Sequence, residues 1–156
     1  MEERYLIRSI VGNQPKPAHA VAYSHSLDND YLITGSVDRK VRFFDSGTGK
    51  AIAICLGHKK SVMVVASSEM GPLGEDPVIC SGGREGSLIV WDPLSNFSGR
   101  MVQIPINEIR CMAVYQGSET YILVGNLTGQ LLLWDLNKDE VVANFEGDLP
   151  THPALT

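Results

Sequence analysis

The stretch Ser81-Gly82-Gly83-Arg84-Glu85-Gly86-Ser87-Leu88-Ile89-Val90-Trp91-Asp92 decides how the rest of the chain is read. It contains the end of one apolar run, a polar turn at Arg84-Glu85-Gly86, and a second apolar run, Leu88 to Trp91, stopped by an aspartate. Short runs of β-branched, aliphatic and aromatic residues bounded by glycine and charge read as strands, and a tight Gly-containing turn between two of them reads as an antiparallel pair. The same plan recurs at Thr34 to Asp45 (TGSVDRKVRFFD) and at Val124 to Asp135 (VGNLTGQLLLWD). Phe44, Trp91 and Trp134 close the three copies, 47 and 43 residues apart, and each is followed by an aspartate.

Working outward, each copy supplies four apolar runs, here lettered a to d. The a runs are Ala20 to Ser24, Val62 to Ala66 and Cys111 to Tyr115; the b runs are Tyr31 to Thr34, Val78 to Ser81 and Tyr121 to Val124. The c runs are Val41 to Phe44, Leu88 to Trp91 and Leu131 to Trp134; the d runs are Ala51 to Leu56, Met101 to Ile104 and Val141 to Phe145. Many are apolar throughout, which predicts strands buried on both faces. The longer first interval is accounted for by Glu69 to Asp76 (EMGPLGED), a loop inserted between runs a and b of the second copy.

A repeat of this length with a Trp-Asp ending resembles the WD-repeat β-propeller family, whose blades are four antiparallel strands in about 40–45 residues. The resemblance implies an all-β fold: a partial WD-repeat β-propeller of three four-stranded antiparallel blades plus one extra N-terminal strand. Residues 4–12, containing Tyr5 to Val11, are expected to be strand d of a missing blade, followed by blades at 13–56, 57–104 and 105–146 and a tail at 147–156. Propellers close with about 4–8 blades. Three are therefore expected to leave two apolar faces to be covered by the remainder of a longer propeller protein, of which the chain is a fragment, or by another chain.

The resemblance also assigns residues. His58, Ser81, Glu85 and Trp91 fall on the family's buried His–Ser/Thr–Asp–Trp tetrad, with Glu85 one methylene longer than the aspartate of the pattern. Such a set is satisfiable as a relay, indole to hydroxyl to imidazole to carboxylate. In the first repeat Thr34, Asp38 and Phe44 take the hydroxyl, carboxylate and indole slots and Gln14 the imidazole slot. In the third only Trp134 remains, with Val124, Thr128 and Pro105 elsewhere, and losing the polar set together is expected to orphan no buried group. A hydrolase triad of His58, Ser81 and Glu85 is disfavoured, because Ser81 ends an apolar strand in CSGGR, without the strained elbow that exposes a nucleophile. Partners in this family bind the end carrying the d–a and b–c loops. By alignment that rim holds His19, Met63 and Arg110 at equivalent strand-a positions, with Arg39, Lys59, Lys60 and Arg84 beside them. Some members dock to a ubiquitin-ligase adaptor through an arginine two positions after Trp-Asp; Gly47, Leu94 and Asn137 stand there instead.

Composition bounds the rest. In 156 residues, 44% hydrophobic and 20% charged, the chain has the make-up of one folded domain. A net charge of −5 argues against a nucleic-acid surface. Apolar runs are strand-sized, too short to span a membrane, and the opening MEERYLIR has no signal-peptide core. Cys55, Cys80 and Cys111 lie apart within apolar runs, which predicts reduced, buried thiols in an intracellular protein, cytoplasmic ahead of nuclear. His19, His25 and His152 have no ligand-type neighbours at metal spacing, so no metal or cofactor is expected. The expected function is a non-catalytic scaffold for other proteins. The alternative is an RNA- or ribonucleoprotein-associated subunit using basic residues clustered at Arg39, Lys40 and Arg42 and at Lys59-Lys60.

Overall fold

A computed structural model describes residues 16–145. The expected strand at 4–12, Gln14, and the tail at 147–156 lie outside the described residues. Strands β1 (Ala18–His25), β2 (Asp30–Ser36), β3 (Val41–Asp45) and β4 (Ala51–Cys55) form one antiparallel sheet in the order β1-β2-β3-β4. Strands β5 (Val62–Ser67), β6 (Ile79–Gly83), β7 (Ser87–Asp92) and β8 (Ser98–Gln103) form a second, and β9 (Cys111–Gln116), β10 (Thr120–Gly125), β11 (Leu131–Asp135) and β12 (Glu140–Asn144) a third. The first strands of successive sheets pack together, β1 on β5 and β5 on β9, so the sheets radiate as three consecutive blades.

Side chains alternate across a strand, and the middle sheet uses both faces. Its odd positions Ile79, Ile89 and Trp91 enter a core with Tyr31, Ile33, Val41 and Phe43 of the first sheet. Its even positions Cys80, Leu88 and Val102 enter a separate core with Ile122, Val124, Leu132 and Trp134 of the third. That double demand explains the unbroken apolar run Leu88 to Trp91 in β7 and the full burial of β6. In the outer sheets β3 is covered on both faces, with Arg42 and Phe44 buried opposite Val41 and Phe43, but Val21 is 75% and Tyr115 65% exposed, so two-sided burial does not extend to β1 and β9. Cys111 corrects the expectation of three buried thiols, since alternation with the packed Met112 and Val114 sends it outward, exposed. Burial pushes the other two thiols up, Cys55 to about 11 and Cys80 to about 12.

Strand ends follow the ladders more than the hydropathy. β8 begins at Ser98, well before the expected Met101, because Ser98 and Gly99 pair with Asp92 and Trp91 through backbone groups that hydropathy cannot register. Ile104 lies beyond that strand but still fills the second core. The 69–76 insertion is the β5–β6 loop. Each β-turn between second and third strands has one residue at positive φ: Arg39 (70°), Gly86 (84°) and Gly129 (89°). Glycine adopts this left-handed region without strain, whereas Arg39 does so at a cost on the order of 1 kcal/mol.

Between the first two blades, Phe43 lies 4.9 Å from the ring of Phe97 and 5.9 Å from that of Tyr31, and Phe97 is contributed by the β7–β8 connection. Phe43→Ala is expected to cost about 3–5 kcal/mol, as buried aromatic truncations do. It should appear as a lower urea midpoint with an unchanged slope.

Candidate functional site

The b–c end of the middle blade assembles a polar network inside an apolar wall. His58 comes from the loop before β5, Ser81 from β6, Glu85 from the β6–β7 turn and Trp91 from β7. The Trp91 indole N–H donates to Ser81 Oγ at 2.9 Å, and the Ser81 hydroxyl donates to His58 Nε2 at 2.7 Å. His58 Nδ1–H donates to Glu85 Oε1 at 2.8 Å, so the longer glutamate reaches the ring. Ser87, which sequence reasoning passed over, donates to the same oxygen at 2.6 Å, and the Lys59 backbone N–H adds a bond of 3.1 Å. The signal for Ser87 was its place one residue past the turn glycine, on the same face as Ile89 and Trp91. Gly83 leaves room for the ring: a Cβ there would lie 2.6 Å from His58 Nδ1.

This geometry holds the hydroxyl away from any substrate. Ser81 is 0% exposed, and its oxygen is occupied by the indole on one side and the imidazole on the other. Burial lowers the His58 pKa, against the opposing pull of Glu85, and keeps the ring neutral. Burial pushes the Glu85 carboxyl up, but bonds from Ser87, its own backbone and His58 outweigh it and leave the group below its usual range.

The first blade solves the same corner differently. Asp38, in the carboxylate slot, accepts from both terminal guanidinium nitrogens of Arg42, Nη2 at 2.6 and Nη1 at 3.1 Å. Those bonds, above all, hold its carboxyl below the ordinary range. Arg42 is only 2% exposed, which corrects its assignment to a basic surface cluster with Arg39 and Lys40. Thr34 faces Arg42 across the β2–β3 ladder, and Phe44 is buried in the indole slot. In the third blade Trp134 is buried and its Nε1 has no acceptor among the described residues. The expectation that no buried group is orphaned there is therefore wrong: Val124 supplies no oxygen where Ser81 serves Trp91, and the indole N–H was retained.

The rim residues gather at this same end. His19 and Met63 occupy the irregularities of β1 and β5, where the register shifts between Ala18 and Ala20 and between Val62 and Val64. A bulge re-aims the extra residue off the regular pleat. Arg110 stands just before β9, where no such shift occurs, and pairs with Glu108 at 3.1 Å. Arg39, Lys59, Lys60 and Arg84 are exposed, and among the described residues none makes an ion pair.

Comparison with known proteins bears on this arrangement. A family model described as WD domain, G-beta repeat matches residues 5–45 and 49–92. The chain belongs to the WD40 repeat family. Relatives of this WD40 chain include the human Denticleless protein homolog, 24% identical over 140 residues, covering 69% of the chain and 19% of the relative. The yeast general transcriptional corepressor TUP1 is 34% identical over 65 residues, 41% of the chain and 9% of the relative. The chain thus spans less than a fifth of these relatives. Among solved structures, that of U3-55K superposes with a TM-score of 0.70 at 13% identity, covering 90% of the chain and 42% of that structure. Among the described residues no helix is long and apolar enough to cross a membrane, and no group of three or more His, Cys, Asp or Glu is placed to hold a metal.

Two outcomes are expected of the WD40 network. Trp91→Phe should destabilise by about 1 kcal/mol more than Trp134→Phe, because only the former gives up a made hydrogen bond; paired urea titrations measure the difference. His58 has a folded pKa below its unfolded value of 6.5, so its contribution is complete above that value and is lost as pH falls. The depressed Glu85 works in the same direction at lower pH, below its ordinary 4.5. The thermal midpoint should therefore drop between about pH 7 and pH 5, and His58→Gln should flatten that slope.

Proposed function

We propose that this WD40 chain is a non-catalytic scaffold that binds other proteins of an intracellular multiprotein assembly through the d–a/b–c rim. The observation that carries the reading is the rim itself. Two bulged strand-a residues, His19 and Met63, and the Arg110 side chain stand beside four exposed, unpaired basic groups on loops held in place by buried polar contacts. Met and Arg are residue types that anchor protein interfaces. The bases favour a partner segment carrying carboxylates, which would meet Arg39, Lys59, Lys60 and Arg84 without displacing an internal partner. Ser81 buried within its relay supports the non-catalytic half of the reading. The exposed apolar groups of the outer sheets, Val21 and Tyr23 on one side and Tyr115 and Leu123 on the other, suit further blades closing the ring.

Charge reversal tests the rim. Arg39→Glu combined with Arg84→Glu should leave the thermal midpoint unchanged, since both side chains are exposed, and should deplete proteins that co-purify with the full chain. An unchanged set of co-purifying proteins would remove the rim from the interaction. Binding of an RNA oligonucleotide that falls steeply with salt and is lost in Arg39→Glu/Lys60→Glu would instead support the ribonucleoprotein reading.

A further inference from the structure

The opposite end of the blades carries a second recessed feature. A cavity of about 230 Å³ opens where the β1–β2 turn, the end of the β5–β6 loop and the end of β7 converge. Its floor is Ile79, Val90 and Trp91, with Tyr31 on one wall and Leu136 of the third blade on the other. The lining is mostly apolar, and Leu94, itself 72% exposed, stands at the mouth. Dedicated small-molecule sites run to roughly 300–1,000 Å³. This smaller space suits a single apolar side chain.

The mouth is acidic. Asp28, Asp76 and Asp92 line it, and no basic residue does. Asp92 is occupied, accepting from the Leu94 backbone N–H at 3.0 Å and from the Ser95 hydroxyl at 2.6 Å. Asp28 and Asp76 are exposed and make no hydrogen bond or ion pair among the described residues. Burial raises the Tyr31 pKa, and the charges of Asp76, Asp28 and Asp45 raise it further, so these carboxylates act on the same space. The neighbouring loops add Asp45, Glu69 and Glu75 against Lys50 and Lys138, the latter paired with Asp135.

We propose that this cavity is a second protein-binding site, which takes one large apolar side chain of a partner peptide flanked by lysine or arginine. The apolar floor receives the side chain, and Asp28 and Asp76 pair with the flanking cations from either side of the mouth. A partner bound here is chemically distinct from an acidic partner of the basic rim, and the two ends of the molecule are available at once.

The test uses the full chain with methyl-labelled Ile, Val and Leu, titrated with acetyl-Lys-Phe-Lys-amide. The expected result is saturable shifts at the methyls of Ile79, Val90, Leu94 and Leu136 at millimolar peptide. Acetyl-Glu-Phe-Glu-amide should bind about tenfold more weakly or worse. Asp28→Asn combined with Asp76→Asn should weaken the basic peptide by about tenfold, and Leu94→Ala should weaken both peptides, each without changing the thermal midpoint. Absence of saturable shifts at these methyls, equal binding of the acidic peptide, or undiminished binding by the double asparagine variant would overturn the proposal. So would an oligouridylate that moves the same methyls. Rim variants such as Arg39→Glu should leave this titration unchanged, so the outcome is independent of the rim's role.

Discussion

Everything in this structure depends on the middle sheet sending alternate side chains into two separate cores. A strand repeats every second residue, so β6 and β7 can satisfy both neighbours only if odd and even positions are both apolar or both internally paired. Ile79, Ile89 and Trp91 serve one side, and Cys80, Leu88 and Val102 the other. A slip of one residue would exchange the two sets and place Ser81 in the wrong core. The one polar side chain in the middle of β6 is accordingly tied on both sides, to an indole and an imidazole.

That constraint accounts for the different treatment of the same corner in each blade. A buried polar group is costly when unpaired. The middle blade pairs its set in a relay, and the first replaces the relay by a bidentate Arg42–Asp38 contact under cover. The third drops the acceptor and keeps the donor, which leaves the Trp134 N–H buried without a partner among the described residues. The three solutions are not equivalent in energy. The ladder and the left-handed turn position nevertheless persist in all three blades. Backbone pairing and apolar packing therefore set the blade, and the polar corner reinforces it.

The blade plan was legible because its signals are local. Glycine and charge mark the turns, Trp-Asp and Phe-Asp mark the ends of the third strands, and the spacing links them. The middle corner was legible for the same reason, since four residue types fell at fixed offsets. What escaped the sequence depended on partners brought together across the fold. Arg42 looked like a surface base until β3 placed it, fully covered, against Asp38. Cys111 looked buried because apolar context alone does not say which face of an outer sheet is covered. Ser98 and Gly99 looked like a loop because ladder bonds are made by backbone groups. Ser87 is a common residue whose role exists only once Glu85 folds back toward it.

Net charge averages over a molecule whose two ends differ. The two ends differ in excess charge: at the d–a/b–c end Arg39, Lys59, Lys60 and Arg84 are exposed while Asp38, Glu85 and Glu108 are paired, and at the other end Asp28, Asp45, Glu69, Glu75, Asp76 and Asp92 outnumber Lys50 and Lys138. The alternating direction of antiparallel strands makes this segregation simple to encode. Every turn between second and third strands, and every link from one blade to the next, reaches one end; every other turn reaches the opposite end. A charge placed by turn type therefore lands on a chosen face, whichever blade carries it. At physiological salt the Debye length is about 8 Å, so each end presents its own field to an approaching molecule and the net value governs neither encounter.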